Sequence, residues 1–216
     1  MPVEIVTSPP AATAQACHTQ PAAAGWFGKI PALGDFAGRR LPPQFIGSWD
    51  AWLSAELAGA RQVLGADWPH SHLDAPIWRF ALTPGVLDSS YWFGILLPSV
   101  DRVGRRFPLS LAASADQAFA GLHAWWEALA RAALKSREPG CDAEALDRAV
   151  LAASASTGPA GATVPQLQAV LTELAGAAPA TSLWWSRVSH NVAASEAWSV
   201  GGLPRGERFQ RLWRSA

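Results

Sequence analysis

The sequence predicts an α/β fold: one mixed, largely antiparallel sheet of about five to six strands, with helices on both faces in a three-layer arrangement. Three observations indicate it. Segments with strand patterns cluster at the two ends of the chain around a helical middle. The run Tyr91–Leu97 is apolar on both faces, which is typical of a central strand covered on both sides. The short connection 189–196 between the last two predicted strands favours antiparallel pairing.

Composition favours a well-packed chain. Of the 216 residues, 50% are hydrophobic and 16% are charged, which excludes intrinsic disorder for most of the sequence. We predict a single domain over residues 25–216. Residues 1–24 consist largely of Pro, Ala, Thr and Gln. Such residues bury too little apolar surface to offset the entropy of ordering, so this segment is predicted to be a disordered leader.

Charge and hydropathy argue against several classes of partner. Lys and Arg number 17 and are balanced by 17 Asp and Glu, so the chain lacks the overall positive field that draws proteins onto nucleic acid or anionic membranes. The longest apolar runs fall well short of the roughly 20 residues that cross a bilayer. No targeting segment is visible, and Cys17 and Cys141 suggest no disulfide framework. We therefore expect a cytoplasmic protein without nucleic-acid binding or membrane insertion.

The N-terminal half begins with a strand, a loop and a long helix. Residues 25–30 mix aromatic and β-branched side chains and stop at Pro31, as a strand does. Residues 31–40 are rich in turn-forming residues, so we expect a loop. A helix is predicted from Pro42 to Gly65, because proline fits the first helical turn and apolar side chains recur at helical spacing. The apolar stripe consists of Phe45, Trp49, Trp52, Leu53, Leu57, Ala60 and Leu64.

Three strands and a helix are expected next. Alternation of facing side chains predicts a strand over 76–82, and further strands follow at 91–97 and 107–111. Residues 114–117 have the Ser-x-x-Gln form of a capping box, which predicts the start of a helix reaching about Lys135.

The C-terminal half is predicted to hold further helices and two strands. Asp142 is the expected N-cap of one helix, and residues 163–166 form a second capping box that opens another. The strands are expected at 183–188 and 197–200. A short Arg-rich helix over 204–214 closes the chain.

The polar segment 98–108, directly after a buried strand, is the first candidate site. Charged residues at a strand end, flanked by Pro and Gly, are where a sheet protein often presents its binding groups. Asp101 could pair with Arg102 or Arg105, and Ser99 could donate a hydrogen bond to Asp101. The alternative is a turn held together by its own Asp and Arg residues, and the sequence leaves both open.

The pair Gly34-Asp35, before Phe36, is the second candidate site. By itself this pair indicates only a turn and an aromatic anchor. If the first strand lies near the strand that ends at Pro98, however, Asp35 would face Arg102 or Arg105, and the two segments would form one site.

Catalytic and cofactor patterns are weak. None of the five His residues has a serine nucleophile-elbow context. His70 and His72 with Asp74 could hold a metal, but Pro69 indicates a loop that would not bring the two rings together. The glycine patterns do not match a phosphate-binding loop. We therefore expect neither a cofactor nor a metal.

The chain contains 12 Trp residues. Most of them stand at helix or strand spacing and are expected in the core. Because Trp is enriched at interface anchors, the candidates for surface positions are Trp68 and either Trp184 or Trp185, which point to opposite faces of one strand.

Four motifs together resemble the TagF (ImpM) family of type VI secretion accessory proteins. They occur in the family order and cover residues 25 to about 112. The motifs are Gly25-Trp-Phe-Gly-Lys-Ile-Pro-Ala-Leu-Gly-Asp-Phe36, Trp49-Asp-Ala-Trp52, Pro76-Ile-Trp-Arg-Phe80 and Pro98-Ser-Val-Asp-Arg-Val-Gly-Arg-Arg-Phe-Pro-Leu109.

The resemblance implies a small cytoplasmic α/β protein that represses type VI secretion after translation. It would act without catalysis, by binding and sequestering the forkhead-associated scaffold protein. The residues that match the family pattern, and that we expect in one polar cluster serving either the partner or the fold, are Gly34, Asp35, Ser99, Asp101, Arg102 and Arg105. The rival hypotheses are a small hydrolase or ligand-binding enzyme centred on Ser99, Asp101 and Arg105, and a structural part of the secretion apparatus.

Overall fold

The computed structural model describes residues 22–117, 121–155, 176–187 and 195–213, together with residue 172. Its strands are β1 (Gly25–Gly28), β2 (Ala37–Arg39), β3 (Trp78–Leu82), β4 (Tyr91–Leu97), β5 (Leu109–Ala115), β6 (Thr181–Arg187) and β7 (Ser195–Gly201). Its longer helices are α1 (Pro43–Leu64), α2 (Trp68–Asp74), α3 (Leu122–Lys135) and α4 (Ala143–Ser154), and a short helix (Glu207–Gln210) follows β7.

The described strands form one seven-stranded sheet in the order β2-β1-β5-β4-β3-β6-β7. Every pairing among them is antiparallel. The predicted α/β class is confirmed, but the predicted number of about five to six strands is wrong, and the described sheet is antiparallel throughout rather than mixed. The additional strand is β2, which lies inside the segment 31–40 that the sequence suggested was a loop. Gly38 allows this close pairing, because a Cβ there would lie 2.9 Å from the carbonyl oxygen of Trp26.

Helices cover both faces of the sheet, as predicted. Side chains from α1, α2 and the short C-terminal helix pack against one face, where Phe80 and Trp184 are buried. Helices α3 and α4 pack against the other face, where Phe93 and Trp185 are buried. Neighbouring residues of a strand therefore belong to different cores, as the pleat of a strand requires. The result is a three-layer arrangement.

Helix α1 is fixed to the sheet by both apolar and polar contacts. It begins at Pro43 and ends at Leu64, and the backbone N–H of the capping residue Gly65 donates to the carbonyl of Arg61. The indole N–H of Trp49 donates to the hydroxyl of Ser110 on β5 at 2.8 Å, and the indole N–H of Trp52 donates to the carbonyl of Pro204 at 2.8 Å. These bonds satisfy indole groups that burial would otherwise leave unpaired.

Several local predictions are corrected. The capping box at 114–117 does not start a helix, because β5 runs on to Ala115 and α3 begins only at Leu122. Residues 69–74, expected in a loop, belong to helix α2. The three Trp residues proposed for the surface (Trp68, Trp184 and Trp185) are all buried.

Other predictions hold or lie outside the described residues. Asp142 caps α4, since its carboxylate accepts a hydrogen bond from the backbone N–H of Ala145 at 2.7 Å. The capping box at 163–166 lies outside the described residues, and so do residues 1–21 of the predicted leader. Ala24, at the end of that predicted leader, is buried, and its N–H donates to the hydroxyl of Ser154 at 3.0 Å. Among the described helices, none is both long and apolar enough to cross a membrane.

Candidate functional site: a braced turn beside a basic cleft

The turn between β4 and β5 is closed by its own backbone. Val100 and Arg106 form an antiparallel bridge, and the N–H of Phe107 donates to the carbonyl of Ser99 at 3.1 Å. Gly104 has a φ of 83° and donates its N–H to the carbonyl of Asp101 at 2.9 Å. A positive φ of this size favours glycine, so the Val-Gly sequence suits the tight reversal.

Asp101 holds this turn from inside. One carboxylate oxygen accepts hydrogen bonds from the backbone N–H groups of Val103, at 3.0 Å, and Arg105, at 2.8 Å. The other oxygen accepts from Lys29 Nζ at 2.9 Å and from Arg105 Nε at 2.6 Å. Its side chain is 0% exposed. Both oxygens are therefore fully used within the protein.

The charge state of Asp101 follows from these partners. Burial acts to raise the pKa of this carboxyl, because a charged group is less stable away from water. The hydrogen bond from Lys29, and those from the backbone and side chain of Arg105, outweigh burial and hold the pKa well below its usual range. Asp101 is thus an anion that balances two cations, one of them the buried Lys29.

The loop after β1 lies against the same turn. The N–H of Arg102 donates to the carbonyl of Leu33 at 2.8 Å. The guanidinium of Arg105 donates to the carbonyl of Gly34. A Cβ at Gly34 would lie 3.4 Å from the guanidinium of Arg102. The structure therefore brings Gly34, Asp101, Arg102 and Arg105 together.

Asp35 does not take the place that the sequence suggested. It is exposed, and its carboxylate accepts a hydrogen bond from the N–H of Phe36 at 2.8 Å. Among the described residues it has no ion-pair partner, so the expected pairing with Arg102 or Arg105 is not formed. The physical reason is that the carbonyl of Gly34 occupies the guanidinium of Arg105, while Asp35 turns to its own backbone.

Ser99 is also placed differently from the expectation. Its hydroxyl is buried and has no hydrogen-bond partner among the described residues, so it does not donate to Asp101. Its carbonyl accepts from the N–H of Phe107 and from the Nε2–H of His72, at 2.9 Å. Because the imidazole contacts the carbonyl rather than the hydroxyl, Ser99 and His72 do not form a nucleophile and base.

His72 is a buried, neutral imidazole. Its ring stacks on Trp213 at 4.9 Å between ring centres and lies 5.2 Å from the ring of Trp68. Burial lowers its pKa to about 4, and positive charges nearby add to the effect, although the hydrogen bond to Ser99 opposes it. His70, on the same helix, is exposed. Among the described residues, no three His, Cys, Asp or Glu side chains are grouped as a metal site would require.

A cleft of about 620 Å³ opens beside the braced turn. Its basic and aromatic walls come from α1, α2, the end of β1 and the turn. Of the described residues that line it, four are basic and none is acidic. The lining residues are Lys29, Phe36, Ser54, Leu57, Arg61, Trp68, Gly104, Arg105, Arg106 and Phe107.

Sequence reasoning missed three cations of this cleft, namely Lys29, Arg61 and Arg106. Lys29 was assigned to the first strand without a role. The sequence did hold a signal for its role, because a Lys at an apolar strand end is rarely buried unless it is paired, and Asp101 was a candidate anion. Arg61 comes from a distant helix, and no local pattern indicates that it reaches the turn, where it donates to the carbonyl of Arg106 at 3.1 Å.

The fold and the site together define a class: a small three-layer α/β protein with a braced turn and an open basic cleft. Residues 25–153 match the model of the TagF N-terminal domain, described as type VI secretion system-associated. The chain belongs to this family, which confirms the resemblance of its four motifs, all of which lie in the matched range.

A solved structure is also similar. The crystal structure of PA0076 from Pseudomonas aeruginosa PAO1 is 32% identical in sequence, and the match covers 88% of this chain and 93% of that one with a TM-score of 0.72. The similarity therefore extends beyond the matched domain. No curated protein matches the chain.

Proposed function

We propose that this protein represses type VI secretion after translation, by binding the forkhead-associated scaffold protein in the cytoplasm and keeping it from assembly. The observation that carries the proposal is the match to the type VI secretion-associated TagF domain over residues 25–153. This domain contains the braced turn and the basic cleft, whose internal hydrogen bonds give the protein a rigid surface. The buried groups Ser99, Asp101 and His72 serve the fold, and the accessible groups around them are cationic and aromatic, as in many protein-binding surfaces.

The rival hypothesis of a hydrolase centred on Ser99, Asp101 and Arg105 has less support. The Ser99 hydroxyl is buried without a base beside it, and both oxygens of Asp101 are occupied. A general base or a nucleophile needs a free atom within reach of a substrate, and neither of these side chains offers one.

Capture from the native host tests the proposal. The full chain is tagged at one end and expressed at its natural level, and the retained proteins are identified by mass spectrometry. We expect the forkhead-associated scaffold to be enriched over an untagged strain, and secretion to fall when the chain is overproduced. Absence of the scaffold from the captured proteins contradicts the proposal, and capture of sheath or baseplate components alone would support a structural role in the apparatus.

A further inference from the structure

The basic cleft concentrates positive charge on a chain that is neutral overall. Among the described residues, neither Arg61 nor Arg106 has an ion-pair partner. Within the part of the chain that the structure describes, the only carboxylate bound to Lys29 and Arg105 is that of Asp101, whose side chain is 0% exposed. A molecule that enters the cleft therefore meets cations and aromatic rings, and the local field attracts anions.

The guanidinium groups of Arg61 and Arg105 are held in place before any ligand binds. Arg61 lies over the ring of Trp68, at 5.6 Å from its centre, and donates to the carbonyl of Arg106. Arg105 is fixed by Asp101 and Gly34. The Nε–H of Arg106 is buried and has no hydrogen-bond partner among the described residues. Side chains that are already ordered lose less entropy on binding.

The turn favours carboxylates over phosphate groups as the ligand. Sites for phosphate commonly use a row of free backbone N–H groups. Here each N–H from residue 101 to residue 105, and that of Phe107, donates within the protein. Recognition is left to the guanidinium and ammonium side chains, and a guanidinium matches the two oxygens of a carboxylate.

The walls of the cleft also favour a peptide. Phe36 is 43% exposed at the rim and packs edge-on against Phe107, with 4.7 Å between ring centres. An apolar side chain placed between two acidic residues would lie on this aromatic edge while its neighbours reach the cations. Small inorganic anions would leave that surface uncovered.

We propose that the basic cleft binds an acidic peptide segment of a protein partner, with Asp or Glu carboxylates on Arg61, Arg105 and Arg106 and an apolar side chain against Phe36. The inference rests on the proposed function in one respect: the partner that carries the acidic segment is taken to be the scaffold protein that this chain represses.

Binding of a defined peptide to the full chain tests this inference. The probe is a short fluorescein-labelled peptide in which Glu and Asp flank a central Leu. The control peptide has the same sequence with Gln and Asn in place of Glu and Asp. Fluorescence anisotropy is expected to show binding of the acidic peptide that weakens with added salt. Arg61→Gln and Arg106→Gln should each weaken it by about tenfold. Arg131→Gln, at an exposed position of α3, should leave the affinity unchanged.

Three results would overturn the inference. They are equal affinity for the acidic and amide peptides, an unchanged affinity in Arg61→Gln, and displacement of the peptide by inorganic phosphate at equal concentration. Circular dichroism of each variant checks that the fold is retained, including that of Arg61→Gln, whose substituted residue is exposed on α1.

Capture of the scaffold separates this inference from the proposed function. If the peptide binds through Arg61 but the scaffold is never captured, the repressor proposal fails and the cleft assignment stands. If the wild type and Arg61→Gln capture the scaffold equally, the cleft assignment fails and the repressor proposal stands.

Discussion

Acidification from about pH 7 to about pH 5 is expected to destabilise this protein through His72. The imidazole is buried between Trp68 and Trp213 and donates its Nε2–H to the carbonyl of Ser99. Its Nδ1 has no hydrogen-bond partner among the described residues. A second proton would therefore place a charge where neither water nor an acceptor receives it.

The size of the effect follows from the two pKa values. The pKa falls from 6.5 in the unfolded chain to about 4 in the folded protein, because of burial and then the charges of Arg106, Arg61 and Arg137. Between these values the unfolded chain binds more protons than the folded one, so the free energy of unfolding falls as the pH falls. The full loss is about 3 kcal/mol below the lower pKa, and roughly 2 kcal/mol of it is reached at about pH 5.

Urea unfolding at several pH values measures this loss. The wild type and His70→Gln, whose substituted residue is exposed on the same helix, should show the same decrease. His72→Gln should be less stable near neutral pH, because it loses its ring contacts, and should show a decrease that is smaller by about 2 kcal/mol. An equal decrease in the wild type and His72→Gln would refute the reasoning. So would an imidazole of His72 that titrates near its ordinary pKa in an NMR experiment on the wild type.

Two further predictions concern the fold and the brace. Gly94→Ala in β4 should lower the free energy of unfolding by about 1–3 kcal/mol or more, because the new Cβ would lie 2.3 Å from a backbone oxygen of β5. The control Gly59→Ala, at an exposed position of α1, should be neutral or slightly stabilising. A urea unfolding experiment in which Gly59→Ala is the less stable variant contradicts this prediction. Lys29→Met should lower the melting temperature more than Arg105→Gln, because among the described residues it leaves the 58% exposed guanidinium of Arg105 as the one charged partner of the buried Asp101 carboxylate. Equal losses in a thermal melt would show that burial of the ammonium does not matter.

The long, periodic elements were predictable from the sequence. Helix α1 has its apolar stripe at helical spacing over 22 residues, and the alternation in β3 correctly separates its two faces. Strand β2 has three residues, which is too few for an alternation to be seen. It forms because one side of β1 is open to pairing, while the other side pairs with β5. That arrangement depends on contacts between segments far apart in the sequence.

The false helix start at 114–117 has a related cause. Ser114 has a residue pattern that suits a helix cap, but the structure pairs it with Trp92 across the sheet. Hydrogen bonds to a neighbouring strand then replace the local bonds that a Ser side chain can offer. A local pattern could not show this competition, because its outcome is decided by β4.

The candidate site was predictable only in part, for the same reason. Asp101 and Arg105 follow a buried strand, and their position alone indicated a turn with charged groups. The role predicted for Asp35 was wrong because its side chain and the adjacent carbonyl of Gly34 are alternative acceptors for the guanidinium of Arg105. In the structure the guanidinium donates to the carbonyl. Arg61 depended on how α1 lies across the sheet.

The location of the brace follows from strand pairing. Strands β1 and β5 are antiparallel, with Gly28 opposite Leu109. The last residue of β1 and the first residue of β5 therefore lie side by side at the same end of the two strands. Gly28 has a φ of 143°, and a Cβ there would lie 2.2 Å from the carbonyl oxygen of Pro108. This close approach brings Lys29, the next residue, to Asp101. The buried ion pair therefore depends on a glycine that contacts neither charge, and a side chain at Gly28 should loosen the turn and the cleft together.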